Sequence, residues 1–136
     1  MLEFSYTKIG AGLPPAPIVW ATIYPPEWER QLNENPDYSC TAFLDTGSDC
    51  TLIPLEAISV LNLTTFKANA QIIGVGGGEM QGLGCYIDIS IGTHHFSAIR
   101  AYACRLKDLN GHAIIGRDVL NQCFVEFDGI LEKVRL

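Results

Sequence analysis

The sequence predicts an all-β protein with one or two short helices, and three observations carry that reading. Strand signals, meaning β-branched and aromatic runs or apolar residues alternating at period two, outnumber helical spacings along the chain. Glycine and proline, 13 and 7 among 136 residues, fall between those runs as turn punctuation. Asp128-Gly129 stands between two alternating stretches near the end, the strongest short-range hairpin signal in the chain.

Taken in order, Leu2 to Lys8 alternates and reads as a half-buried strand, which Gly10 to Pro17 breaks. Ile18 to Tyr24 is β-branched and aromatic, hence a second strand, closed by Pro25-Pro26. Glu27 to Tyr38 is polar, with a proline at 36, and is expected as an exposed loop with one helical turn. Cys40 to Leu44 is an apolar strand that drives into Asp45, and Thr51 to Pro54 is the strand that leaves it. From Pro54 to Leu61 the spacing of Leu55, Ile58 and Leu61 predicts a short helix with those residues on one side. Ala68 to Ile73 and Leu83 to Ile91 read as a long hairpin around a glycine-rich connection; Gly92-Thr93 turns the chain, and His95 to Ala103 returns as a strand. Ala113 to Gly116 is an apolar run closed by glycine, Asp118 to Gln122 predicts a helical turn or two, and Phe124 to Val134 predicts the final hairpin.

Size and composition bound the function. At 136 residues the expectation is one domain, residues 1–136, large enough to bury about two-thirds of its unfolded surface. A content of 48% apolar and 18% charged residues favours a globular fold over disorder or a coiled coil. The net charge of −6 comes with no basic stripe, which argues against nucleic acid as a partner. Five cysteines, odd in number and without a C-x-x-C pair, indicate neither a zinc site nor a complete disulfide framework, so reduced, buried thiols are expected. The N-terminus carries no basic region followed by a long apolar one, and no run of ~18 apolar residues could span a bilayer. The default expectation is therefore cytoplasmic, with no membrane contact.

Cofactor and metal signatures are also missing from the expectation. His94 and His95 are adjacent on a strand and point to opposite faces, so they cannot easily share one ion. The glycine-rich stretch does not fit a phosphate-cradling G-x-G-x-x-G, since position 79 is Glu, and no G-x-S-x-G elbow exists.

The chemistry concentrates at Asp45. Desolvation penalises an ionised Asp by several kcal/mol unless it is paired, hydrogen-bonded or protonated, so an acid at the end of a core strand is either satisfied or put to use. Phe43-Leu44-Asp45-Thr46-Gly47-Ser48 resembles the catalytic loop of the retropepsin-like aspartic proteases, and Cys50-Thr51-Leu52-Ile53-Pro54 resembles the strand that leaves it. Ile72-Ile73-Gly74-Val75-Gly76-Gly77-Gly78 is similar to that family's flap, and Ala113 to Leu120 to its two-apolar-Gly segment and short helix.

The resemblance implies an acid-protease fold, a closed barrel with one or two short helices, and an aspartic endopeptidase acting on peptide or protein substrates without a cofactor. The chain has no second Asp-Thr-Gly or Asp-Ser-Gly, so the resemblance also implies a homodimer in which Asp45 and its symmetry mate flank one water. Thr46 would lock the two loops together, and Gly47 would bring its N–H to the carboxylates. Ser48 and Asp49 would adjoin the substrate, with the Ser48 hydroxyl expected to donate to the ionised Asp45. Ile73, Gly74, Val75, Gly76, Gly77 and Gly78 would close over a bound peptide, and Arg117 would pair with Asp49 as a structural support. A second reading, a catalytically silent peptide-binding or dimerisation module on the same fold, stands beside the first.

Overall fold

The fold follows from where each strand must hide its apolar face. The structure, a computed structural model, describes residues 1–67 and 83–136, and between them the two short strands Ile72–Ile73 and Glu79–Met80. In chain order the strands are β1 (Glu3–Ser5), β2 (Ile18–Tyr24), β3 (Tyr38–Leu44), β4 (Leu52–Pro54), β5 (Thr65–Lys67), β6 (Ile72–Ile73), β7 (Glu79–Met80), β8 (Leu83–Ile91), β9 (His94–Cys104), β10 (Ala113–Ile115), β11 (Glu126–Asp128) and β12 (Lys133–Arg135). Two short helices accompany them, α1 (Glu56–Leu61) and α2 (Arg117–Leu120).

Six strands close a barrel in the order β2-β3-β10-β4-β9-β8, with β8 pairing back to β2 and β5 added at β8. Closure removes sheet edges and puts every second side chain inside. On β8 the inward set is Cys85, Ile87, Ile89 and Ile91, which meets Ala101 and Ala103 of β9, Ile23 of β2, Ile53 of β4 and Ile115 of β10 in one core. Fully burying a side chain of that size contributes ~1.5–3 kcal/mol, so this stripe is a main source of stability.

Two pairings are parallel, β3 with β10 and β4 with β9. The first sets Leu44 beside Ile115, so the chain leaves the barrel at Asp45 and at Gly116 side by side. The site is positioned by this one register.

Several predicted elements lie elsewhere in detail. The first strand is three residues long with a separate bridge from Thr7 to Ala16, because the segment from Gly10 to Pro17 bends it away. The helix after β4 buries Ala57 and Leu61 and leaves Leu55 exposed, so its inner face is turned from the predicted one. The strand pairing with the start of β8 is Thr65–Lys67, ahead of the predicted arm; residues 68–71 of that arm lie outside the described residues. The final hairpin forms, but Asp128 pairs with Lys133 and the loop has four residues. The Asp128 carboxylate accepts the Leu131 N–H at 2.9 Å and so builds the turn from its side chain.

The outer face of the barrel holds a buried charge that sequence reading passed over. Asp88 is 3% exposed, pairs with Arg30 at 2.6 Å and accepts the Ala98 N–H at 2.9 Å, where a register shift leaves Ala98 at φ 55°. Arg30 also donates to the Pro25 carbonyl at 2.9 Å, which pins the polar segment after β2 to the barrel. His95 contacts the same Asp88 at 3.5 Å and the Ser90 hydroxyl at 3.0 Å.

The chain ends form a sheet of their own, β1-β12-β11. Charges lace it: Glu3 takes Lys133 at 2.7 Å and Arg135 at 2.9 Å, and Arg135 also reaches Glu126 and Asp128. The hydrogen bonds from Lys133 and Arg135 hold the Glu3 carboxyl below its ordinary range, and the Leu131 N–H, with Arg135, does the same for Asp128. Carboxylates with lowered folded values stabilise above their unfolded range, and that stabilisation is lost as pH falls through the lowered values. As pH falls, protection against hydrogen exchange, corrected for the intrinsic rate, should therefore be lost in β1, β11 and β12 before it is lost in the barrel.

All five cysteines are unbridged, and burial pushes the Cys40 and Cys104 thiols up to about 11 and Cys85 to about 12. They are packing groups. Among the described residues no helix is long and apolar enough to cross a membrane.

Candidate active site

The loop from Asp45 to Cys50 is built by hydrogen bonds that its sequence makes available. Asp45 is anchored through its backbone, whose N–H donates to the Ile115 carbonyl at 2.9 Å. The chain then turns, with the Ser48 N–H donating to the Asp45 carbonyl at 3.1 Å. The turn brings the Gly47 N–H to 2.8 Å from Asp45 Oδ1, as the sequence predicts. A Cβ at Gly47 would stand 3.1 Å from that oxygen, closer than ordinary contact, so glycine keeps the approach open. Asp45 is half-buried, whereas Thr46 and Asp49 are exposed.

Ser48 departs from its expected role. Its hydroxyl donates to the Cys50 carbonyl at 2.7 Å, where the prediction had it donating to Asp45. Both acceptors lie within two or three residues, and the turn geometry favours the carbonyl. Ser48 thus closes its own loop.

Arg117 braces the loop from behind. One guanidinium nitrogen donates to the Thr46 carbonyl at 2.6 Å and another to the Asp49 carboxylate, so the predicted ion pair forms. Both side chains are open to water, and the pair itself adds little to stability. The consequence of this contact is positional, since it ties α2 to the residue after Asp45.

The stronger brace is one that sequence reading missed. Asp118 accepts the Thr51 N–H at 3.0 Å and the Thr51 hydroxyl at 2.8 Å, and its own Oδ1 also takes the Val119 N–H at 3.0 Å. Gly116 N–H in turn donates to Thr51 Oγ1 at 3.3 Å. Thr51 is fully buried, so these bonds satisfy polar groups that water cannot reach. The available signal was an Asp in the first turn of a helix right after glycine, facing a Thr at the start of the returning strand. Asp118→Ala should lower stability by about 2–3 kcal/mol in urea unfolding, since it strips a charged acceptor from a buried N–H and hydroxyl.

Beside Asp45 lies a cavity of about 370 Å³ lined by Ile9, Leu13, Ile18, Phe43, Leu109, Asn110, His112 and Ile114 together with Asp45. Its floor is one row across three strands, because Phe43 pairs with both Ile18 and Ile114. Period-two alternation then sends Leu44 into the core and Phe43 and Asp45 to the cavity side. None of Ile9, Leu13, Leu109 or His112 was singled out from sequence, since they come together only through long-range pairing. Of the predicted flap, the backbone of Ile73 pairs with Glu79, while Gly74, Val75, Gly76, Gly77 and Gly78 lie outside the described residues.

A closed barrel with a half-buried carboxylate at the end of a core strand, backed by a Gly-Arg-Asp helix start, has the architecture of the acid proteases. The sequence model described as retroviral aspartyl protease matches residues 24–128, and the chain belongs to that family. Among solved structures, a retropepsin-like aspartic protease from Rickettsia conorii is similar with a TM-score of 0.63 at 18% identity, over 100% of this chain and 99% of that one. The EIAV protease complexed with an inhibitor is similar with a TM-score of 0.56 at 19% identity, over 84% of this chain and 93% of that one. At these identities the likeness bears on the fold, which is retropepsin-like.

Proposed function

We propose that this chain is an aspartic endopeptidase that works as a homodimer, with residues 1–136 as a single protease domain and with Asp45 and the Asp45 of a second copy as its catalytic pair. The observation that carries the reading is the placement of Asp45: half-buried at the mouth of an apolar cavity, held by Gly47 N–H, with no second such loop in the chain. Two carboxylates brought within hydrogen-bonding distance share one proton, as is established for the aspartic-protease dyad in general. The ionised member takes a proton from the attacking water, and the protonated member donates to the scissile carbonyl. Thr46, exposed beside Asp45, is the contact that locks the two loops across the dimer, and Arg117 fixes it through the Thr46 carbonyl. Ser48 and Asp49 border the bound peptide, and residues 73–78 close over it. Substrate would bind extended, with alternate side chains entering pockets such as the one beside Asp45. Five unbridged thiols suit a reducing compartment, and we place the protein in the cytoplasm.

The test is digestion of an unstructured protein between about pH 3 and 7, with and without a statine-type transition-state analogue. Cleavage that the analogue stops, with activity per chain falling on dilution as dimers dissociate, is the expected result. Absence of cleavage throughout that range, or cleavage indifferent to the analogue, overturns the assignment.

A further inference from the structure

We infer that His112 is a specificity-determining residue that makes the cavity beside Asp45 select a tyrosine side chain over other large side chains; this rests on the endopeptidase reading above. Three observations combine. The cavity, about 370 Å³, is lined by Ile9, Leu13, Ile18, Phe43, Leu109 and Ile114, so its walls favour a large apolar body. His112 contributes a half-buried imidazole to the same lining. That imidazole is held in place, because its Nδ1 lies 2.7 Å from the hydroxyl of Thr41 on β3.

The bond to Thr41 decides what His112 offers a ligand. With Nδ1 engaged, Nε2 is the nitrogen free to meet a substrate group, and among the described residues it makes no hydrogen bond. Whichever partner donates in the bond to Thr41, Nε2 is left with one donor or one acceptor, and a phenol hydroxyl can answer either. A phenylalanine or leucine filling the cavity would strip water from Nε2 and return nothing. A lysine or arginine would have to bring its charge out of water into a space walled mostly by apolar side chains. A glutamate would carry a second negative charge into a space shared with Asp45 and lined by hydrocarbon. Tyrosine supplies the apolar ring for the walls and one neutral oxygen for Nε2. Sites built to bond a hydroxyl discriminate against the analogue that lacks it.

The experiment uses three peptides identical except for Tyr, Phe or Glu at the residue adjoining the scissile bond, cleaved by the parent protein and by His112→Leu and His112→Gln. The parent is expected to favour Tyr over Phe by about tenfold in kcat/KM. His112→Leu should bring that ratio to one or below, and His112→Gln, which keeps a donor, should retain part of it. An equal ratio in the parent and His112→Leu overturns the inference, as does fastest cleavage of the Glu peptide by the parent. If no peptide is cut, the endopeptidase reading fails by itself, and the cavity is then tested by calorimetric binding of the Tyr and Phe peptides to the Asp45→Asn protein. The same preference there upholds the inference; equal binding or none overturns it.

Discussion

Replacing Asp45 with asparagine is expected to slow peptide hydrolysis by about 10³-fold or more while leaving the thermal midpoint within about 2 °C of the parent. Asparagine has the same shape and keeps an oxygen for the Gly47 N–H, which now lies 2.8 Å from Oδ1. It cannot accept a proton from water, so the chemistry is lost and the loop is kept. Because the second acid is proposed to come from another copy, the variant should also poison the parent. A tenfold excess of Asp45→Asn chains, exchanged into the parent before assay, leaves roughly a tenth of parent chains with a parent partner. Activity should fall to that level. Undiminished activity after exchange would mean that a single chain suffices, and the symmetric site would have to be abandoned.

Gly116→Ala should lower stability by about 3 kcal/mol or more, a drop in melting temperature of about 10 °C. The added Cβ would fall 2.5 Å from the Cys50 carbonyl oxygen, 2.7 Å from its carbon and 2.9 Å from the Ser48 oxygen. Neither carbonyl can retreat freely: Ser48 O accepts the Arg117 N–H at 2.9 Å, and Cys50 O accepts the Ser48 hydroxyl at 2.7 Å. The backbone of Gly116 itself is unstrained at φ −93°, so the objection to a side chain is steric. Gly84→Ala makes the control. Its Cβ would stand 2.2 Å from Phe66, but that ring is the half-buried end of a rotatable side chain and can swing away. Urea midpoints of the two variants should differ by well over a factor of two in the loss from parent, and a near-normal Gly116→Ala protein would show that the loop and α2 can separate.

The Asp45 loop and the flanking strands were readable from sequence because their determinants are local. Ile18 to Tyr24 forms the predicted strand with the predicted ends, since β-branched and aromatic residues dominate the run between Pro17 and Pro25. Gly47 reaches Asp45 as expected because only Thr46 lies between them and little else can intervene. Ser48 shows where locality stops being enough. Two acceptors were within reach of one hydroxyl, and the difference lay in turn geometry that residue names do not carry. Asp118 was harder still, because its partner Thr51 is 67 residues away.

From the sequence alone came the all-β class and the loop that carries Asp45, consequences of alternation and turn residues, while the expectation of an acid from a second chain came from the family resemblance and the single Asp-Thr-Gly. Only the tertiary structure decided that β3 and β10 lie parallel with Leu44 against Ile115, which sets Asp45 beside Gly116 and draws Phe43, Ile114 and His112 around one cavity. Strand alternation says which residues share a face, but it does not say which strand will be the neighbour. That choice belongs to the burial of the whole barrel.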